Sequence, residues 1–150
     1  MYKHILIPTD GSEVAAKGVE QGLSLAKSLQ ARVTVIVVTE RFPIYAYNGI
    51  AGGWIPGPEE MARFEAGQKE TAQEVLGAVE AAAKKMGVPA ETVHVPEDYP
   101  ADAIVETAKS RDCDLIVMSS HGRRGLRKMV LGSQTSQVLA YSPVPVLVVR

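Results

Sequence analysis

The chain has 150 residues, one domain's worth, and its 46% apolar and 22% charged composition excludes a disordered chain. Its 16 Lys plus Arg against 17 Asp plus Glu leave a net charge of −1, which excludes binding of nucleic acid or an anionic membrane by bulk charge. No apolar run approaches the ~20 residues of a membrane span, the N-terminal run is too short for a signal peptide, and a lone cysteine, Cys113, excludes an internal disulfide, so a cytoplasmic protein is expected.

Along the chain, short β-rich runs alternate with helical patterns. His4 to Pro8 is a compact apolar run and reads as a buried strand. Thr9-Asp10-Gly11-Ser12 is a turn, with Ser12 placed to cap a helix and Glu13 in its first turn. Ala15, Val19, Leu23, Ala26 and Leu29 follow at helical spacing, so the helix runs to about Gln30. Val33 to Val38 is apolar on both faces, as strands of a parallel sheet covered on both sides are.

Arg41 to Pro58 is irregular, with Phe42, Tyr45, Tyr47 and Trp54; Tyr45, Tyr47 and Trp54 would close over a ligand, meet a partner, or pack against the next helix. Pro58 suits a helix's first turn, Phe64, Ala72, Leu76, Val79, Ala83 and Met86 stripe that helix, and Gly87 stops it. Thr92 to Val95 is a third strand, Ala101 to about Ser110 a third helix, and Leu115 to Met118 a fourth strand. Ser133 to Tyr141 forms a short helix and Val144 to Val149 the last strand. Cys113, just before an apolar strand, reads as a small buried hydrophobe over a redox thiol.

The order β-α-β-α-β-α-β-α-β predicts an α/β fold: a doubly wound, five-stranded parallel sheet of Rossmann-like kind, in one domain over 1–150, with helices on both faces. With strand order 3-2-1-4-5, ligands would bind where that order reverses, between the first and fourth strands. The loops there are Pro8 to Ser12 and Ser119 to Ser133.

The second loop carries the only charge asymmetry in the chain. Leu115 to Arg150 has no acid and five bases (Arg123, Arg124, Arg127, Lys128 and Arg150), while the preceding 114 residues have a net charge of −6. The four clustered bases are a solvated face, a field attracting a polyphosphate, or a nucleic-acid patch; without interleaved aromatics the last is the weakest, and the second is preferred.

No Walker loop and no Gly-x-Gly dinucleotide fingerprint is present. Instead Gly122 is followed, after nine residues, by Gly132-Ser133-Gln134-Thr135. Gly132 would let backbone approach a ligand, and free N–H groups at the start of the following helix favour an anion. A Gly-Ser pair there is also simply a good helix cap. Asp10, likewise, is a turn residue or a ligand contact. His121 beside Ser119 and Ser120 is not expected to form a catalytic pair, because neighbours at a strand end diverge and no third orienting group is evident. His4 and His94 lack metal-ligand spacing.

Over essentially its full length the chain resembles the universal stress proteins. The resemblance rests on Lys3-His4-Ile5-Leu6-Ile7-Pro8-Thr9-Asp10-Gly11-Ser12, on Leu115 through Leu126, on Leu131-Gly132-Ser133, and on Ser142-Pro143-Val144-Pro145-Val146-Leu147-Val148-Val149. It implies a stress-induced cytoplasmic protein that forms a homodimer through the last strand, Val144 to Val149. The family's ATP-binding branch carries Gly-x2-Gly-x9-Gly-(Ser/Thr), which this chain matches at Gly122, Gly132 and Ser133 and departs from at Ser119. That departure matters if the position needs a positive φ, at about 1–2 kcal/mol for a non-glycine residue, or if a ligand needs the space of Cβ. Otherwise the Ser119 hydroxyl is a further donor.

Carried over by position, the resemblance implies ATP as ligand, with Pro8, Thr9 and Asp10 flanking the nucleoside and Asp10 accepting from ribose or holding Mg2+. Val38 would offer backbone groups to adenine. Met118 and Ser119 would lie beneath ribose and α-phosphate with His121 and Gly122 close by, and Gly132, Ser133, Gln134 and Thr135 would receive the phosphates. Three readings follow: an ATP-binding stress-response switch with at most slow hydrolysis; a dimeric interaction protein that does not bind nucleotide, with Ser119 as its mark; and an adenylyl transferase, which would want a His-x-Gly-His motif that is absent.

Overall fold

A computed structural model describes residues 1–42, 55–121 and 131–150. The elements are β1 (His4–Pro8), α1 (Glu13–Leu29), β2 (Arg32–Val38), α2 (Pro58–Met86), β3 (Ala90–Val95), α3 (Pro100–Ser110), β4 (Leu115–Ser119), α4 (Ser133–Tyr141) and β5 (Val146–Val149). All strand pairs are parallel, as the alternation predicts, and the order is β3-β2-β1-β4-β5, the expected 3-2-1-4-5. Alternate strand residues face opposite layers. Ile5, Ile7, Val35 and Val117 pack with Val19 and Leu23 of α1 and Leu76 and Val79 of α2. Leu6, Ile36, Ile116 and Met118 pack with Ile104 and Ala108 of α3 and Val138 of α4.

Local chemistry sets most boundaries. Ser12 Oγ accepts from Ala15 N at 3.1 Å and starts α1, and Gln30 ends it in the left-handed region at φ 54°. Pro58 opens α2 behind Gly57, whose N–H donates to Glu60 Oε2 at 3.0 Å. Two strands begin earlier than their apolar runs, at Arg32 and Ala90, because ladder pairing is a backbone property and tolerates an exposed polar side chain. The last strand is shorter than expected. Val144 and Pro145 lie before it: Ser142 Oγ and the Val144 main chain form a local turn, and Pro145 contributes only its carbonyl, to Ile116 N at 3.0 Å.

No residue of α2 before Ala72 is buried, so its first 14 residues, ~20 Å of helix, extend past the sheet. Phe64 on that extension meets Phe42 edge-on, ring centroids 5.0 Å apart. Tyr45, Tyr47 and Trp54 lie outside the described residues. Gly67 and Gly77 occupy exposed sites of α2 where an added Cβ would meet nothing within 4 Å. Each Gly→Ala change is expected to raise the unfolding free energy by about 0.5–1 kcal/mol, read by urea titration; a loss instead would mean that these glycines serve a contact absent from this packing.

At the N-terminal end of the sheet, His4 is buried with Nε2 2.8 Å from Thr34 Oγ1 and 3.7 Å from Cys113 Sγ, and its Nδ1 has no partner. Cys113 is the small buried hydrophobe anticipated, its thiol pushed up to about 11 by burial. Burial, helped by Arg32, pushes the His4 pKa below its ordinary 6.5. The unfolded chain therefore takes up the proton first, so stability is full above 6.5 and lost as pH falls through the folded value. Urea midpoints should fall between about pH 7.5 and about pH 5.5 in the wild type and fall less in His4→Gln. Equal slopes in the two proteins would show that His4 is not the group responsible.

Candidate functional site

The chain leaves β1 toward β2 and β3 and later recrosses it to lay down β4 and β5, so the strand order reverses between the C-terminal ends of β1 and β4. A cleft of about 380 Å³ opens there. Pro8, Thr9 and Asp10 form one wall at the end of β1, Val38 lies at the end of β2, and Met118, Ser119 and His121 follow β4. Gly132, Ser133, Gln134 and Thr135 line it from the start of α4. The structure thus gathers eleven of the twelve anticipated residues on one cleft; Gly122 and the bases Arg123, Arg124, Arg127 and Lys128 lie outside the described residues.

Each position has a local cause. Gly11 turns at φ 75°, a left-handed conformation that glycine adopts without strain, and its N–H donates to Thr9 Oγ1 at 3.2 Å. Asp10 Oδ1 accepts from Ser12 N at 2.9 Å, so this carboxylate is a turn residue and a cleft wall at once. On β2, Ile36 O accepts from Thr9 N at 2.9 Å on the β1 side. Parity turns the main-chain N–H and C=O of Val38 to that same side, two residues beyond, where β1 has ended at Pro8 and no strand remains beside them.

At the far wall no side chain caps α4, and its first main-chain bond runs from Ser136 N to Gly132 O. The N–H groups of Ser133, Gln134 and Thr135 have no intrahelical partner and carry the positive end of the helix dipole. Gly132 N donates to Ser120 O at 2.9 Å, and a Cβ on Gly132 would stand 3.0 Å from that same oxygen. The glycine is there because β4's exit and α4's entry touch.

Several side chains do other work than the sequence suggested. Thr135 is buried, and its hydroxyl lies 3.2 and 3.3 Å from Ser119 O and Ser120 O, tying α4 to β4; only its main chain faces outward as a donor. Gln134 Oε1 accepts from Ala101 N at 2.9 Å, joining α4 to the start of α3. Ser119 Oγ donates to His121 O at 2.7 Å. Among described non-glycine residues only Gln30, Glu97 and Asp112 have positive φ, so Ser119 carries no left-handed penalty in the glycine's place. The expected divergence of neighbouring Ser120 and His121 is corrected: Ser120 Oγ lies 3.0 Å from His121 Nδ1, while Ser120 N continues the β4–β5 ladder to Val149 O and His121 follows beyond the strand's end. Ser120 is buried and off the cleft wall, so the pair presents no nucleophile to it.

Residues not anticipated complete the cleft. Gln68, Thr71, Ala72 and Val75 of α2 face it at helical spacing, and Thr39, Glu40 and Ile104 add to its walls. Of these four only Ala72 belongs to the apolar stripe read from the sequence; Gln68 and Thr71 are polar and gave no such signal. Among the described residues no group of three or more His, Cys, Asp or Glu is arranged to hold a metal ion, and no helix is long and apolar enough to cross a membrane.

The model of the universal stress protein family matches residues 1–150. Universal stress protein MJ0531 of Methanocaldococcus jannaschii is 36% identical over 150 residues, covering 100% of this chain and 83% of that protein. The solved structure of MJ0577, from the same organism, superposes with TM-score 0.81 at 27% identity over 99% of this chain and 96% of that one. The universal stress protein of Archaeoglobus fulgidus in complex with dAMP superposes with TM-score 0.70 at 20% identity, over 99% of this chain and 98% of that one. A full-length family match, a relative above 30% identity and a shared doubly wound sheet agree: the chain belongs to the universal stress protein family.

Proposed function

We propose that the β1–β4 cleft binds an adenine nucleotide, ATP with Mg2+, and that the protein is a cytoplasmic, nucleotide-controlled module of the stress response with at most slow hydrolysis. The observation that carries this reading is the convergence, in one cleft, of two complementary ends. Val38 offers a main-chain donor and acceptor for the edge of a base, and 132–135 offers an uncapped helix start that favours an anion. Gly132 leaves the close approach between those strands of chain open. The fold itself can accommodate such a ligand, since the Archaeoglobus fulgidus relative was captured with dAMP.

ATP fits the donors present. Its triphosphate would meet the N–H groups of Ser133, Gln134 and Thr135, with Met118 and Ser119 beneath the ribose and the field of Arg123, Arg124, Arg127 and Lys128 drawing the anion in. Mg2+ typically takes one or two carboxylates with the phosphates and water, so Asp10, without a cluster of three ligands among the described residues, suits it as a companion of ATP and not as a resident metal. Calorimetry with Mg-ATP is expected to give one site per chain. A second reading, a dimeric interaction protein without a nucleotide, has one observation in its favour: Ser119 stands at the motif's first glycine with its hydroxyl turned to His121 O. No heat at about millimolar nucleotide, restored by Ser119→Gly, would establish that second reading.

Either reading includes one domain over 1–150 and a homodimer through β5, an edge strand whose Leu147 is 43% exposed. Sedimentation at about micromolar concentration should show a dimer, and Leu147→Lys a monomer; a wild-type monomer overturns the interface.

A further inference from the structure

One pair of side chains beside the cleft has no part in the reading above. Thr39, the residue after β2, lines the cleft. Its main chain is committed to the far side: Thr39 N donates to Val95 O at 3.0 Å, and Thr39 O accepts from Asp98 N at 3.2 Å. Its hydroxyl is the one polar group it has left for a ligand. That hydroxyl lies 2.8 Å from His94 Nε2 on β3. His94 itself is not on the cleft wall, so it acts on a ligand only through Thr39.

We infer that Thr39 reads the edge of the base bound beside Val38, and that His94 is a positioning residue that decides whether Thr39 reads it as an acceptor or as a donor. A hydroxyl has one proton and two lone pairs. In the neutral tautomer with the proton on Nδ1, which we assign to His94, Nε2 accepts the Thr39 proton, only lone pairs face the cleft, and they suit an exocyclic amino group, as on adenine. When His94 is protonated, both ring nitrogens are donors, Nε2–H occupies a lone pair, and the Thr39 proton swings toward the cleft, where it suits a carbonyl, as on hypoxanthine. The pair therefore favours aminopurine over oxopurine near neutral pH and loses that preference in acid. The inference rests on the nucleotide reading of the cleft.

The surroundings keep the ring neutral near neutral pH: burial pushes the His94 pKa down, and Lys69 of α2 opposes the charge further. β2, the strand paired with β3, meets it with uncharged Val37 and Thr39. Past the strand ends stand Glu40, Arg41 and Glu97, with Arg41 Nε donating to Glu97 O at 2.8 Å.

The test is the ratio of ITP to ATP dissociation constants, measured by calorimetry between about pH 8 and about pH 5.5, a span in which His can titrate and neither base does. The ratio cancels every effect on the phosphates, which the two nucleotides share. In the wild type it should fall about fivefold or more toward acid, an effect of hydrogen-bond size. His94→Gln, which keeps a polar partner without a titration, should give a flat ratio. Thr39→Val should give a flat ratio between the neutral and the acid values of the wild type, with ATP still bound. A wild-type ratio independent of pH, or a ratio in Thr39→Val that still moves, overturns the inference while leaving nucleotide binding intact. Failure of either nucleotide to bind overturns the reading beneath it as well.

Discussion

Gly132→Val should weaken Mg-ATP binding about 100-fold or more, about 2.7 kcal/mol. The cause is steric. A Cβ at this position meets Ser120 O at 3.0 Å, His121 Cα at 3.5 Å and His121 Cδ2 at 3.8 Å, and valine adds two further carbons. Ser120 O cannot retreat, because it already accepts from Gly132 N at 2.9 Å and lies 3.3 Å from Thr135 Oγ1. The relief open to the chain is to move the start of α4, which carries the N–H groups proposed to hold the phosphates. Charge-assisted hydrogen bonds weaken steeply with misalignment, so a shift of a fraction of an ångström is costly. Gly132→Ala should give an intermediate loss. Circular dichroism and urea midpoints keep folding and binding apart; wild-type affinity in a folded Gly132→Val protein would refute the site.

The second large effect is on folding. Gly18 lies on the face of α1 that packs on β4, and a Cβ there would stand 2.9 Å from Ser119 N and 3.3 Å from Met118 C. Both are main-chain atoms of β4, which at these residues is held in register with β5, so neither gives way as a side-chain end would. Gly18→Ala should lower the unfolding free energy by about 3 kcal/mol, the upper range for overpacking, despite alanine's better helix propensity. Gly22→Ala is the control. Its nearest atoms are Ile7 Cδ1 at 2.5 Å and Cγ1 at 2.9 Å, side chain and not main chain, so a smaller loss, about 1–2 kcal/mol, is expected. Equal losses at the two sites in urea titration would mean that backbone contact with β4 is not what Gly18 protects. Because Met118 and Ser119 line the cleft, Gly18→Ala should also weaken nucleotide binding in the folded fraction.

These two glycines mark the limit of what could be read from sequence. Gly132 stood out because it begins a helix after a loop. Gly18 did not, since a glycine inside an amphipathic helix looks like a mere weakness until the strand it touches is known. The same holds for Thr39 and His94: 55 positions apart, they become a pair only when β2 and β3 align Val37 with His94.

The sequence by itself determined the element order, because apolar periodicity and turn chemistry are local; the cleft's place followed only once strand order 3-2-1-4-5 was taken, and the tertiary structure decides that order. It also located the anion-favouring helix start. Tertiary structure alone decided which polar atoms are spent within the fold: the hydroxyls of Ser119 and Thr135 and the amide of Gln134 bind main chain, leaving backbone N–H groups to face the cleft. It alone moved the start of β5 past Pro145, and it alone brought the Gln68–Val75 stripe of α2 over the cleft. Hydrogen-bond partners across a fold are set by the distance between elements, and no spacing along the chain encodes that distance.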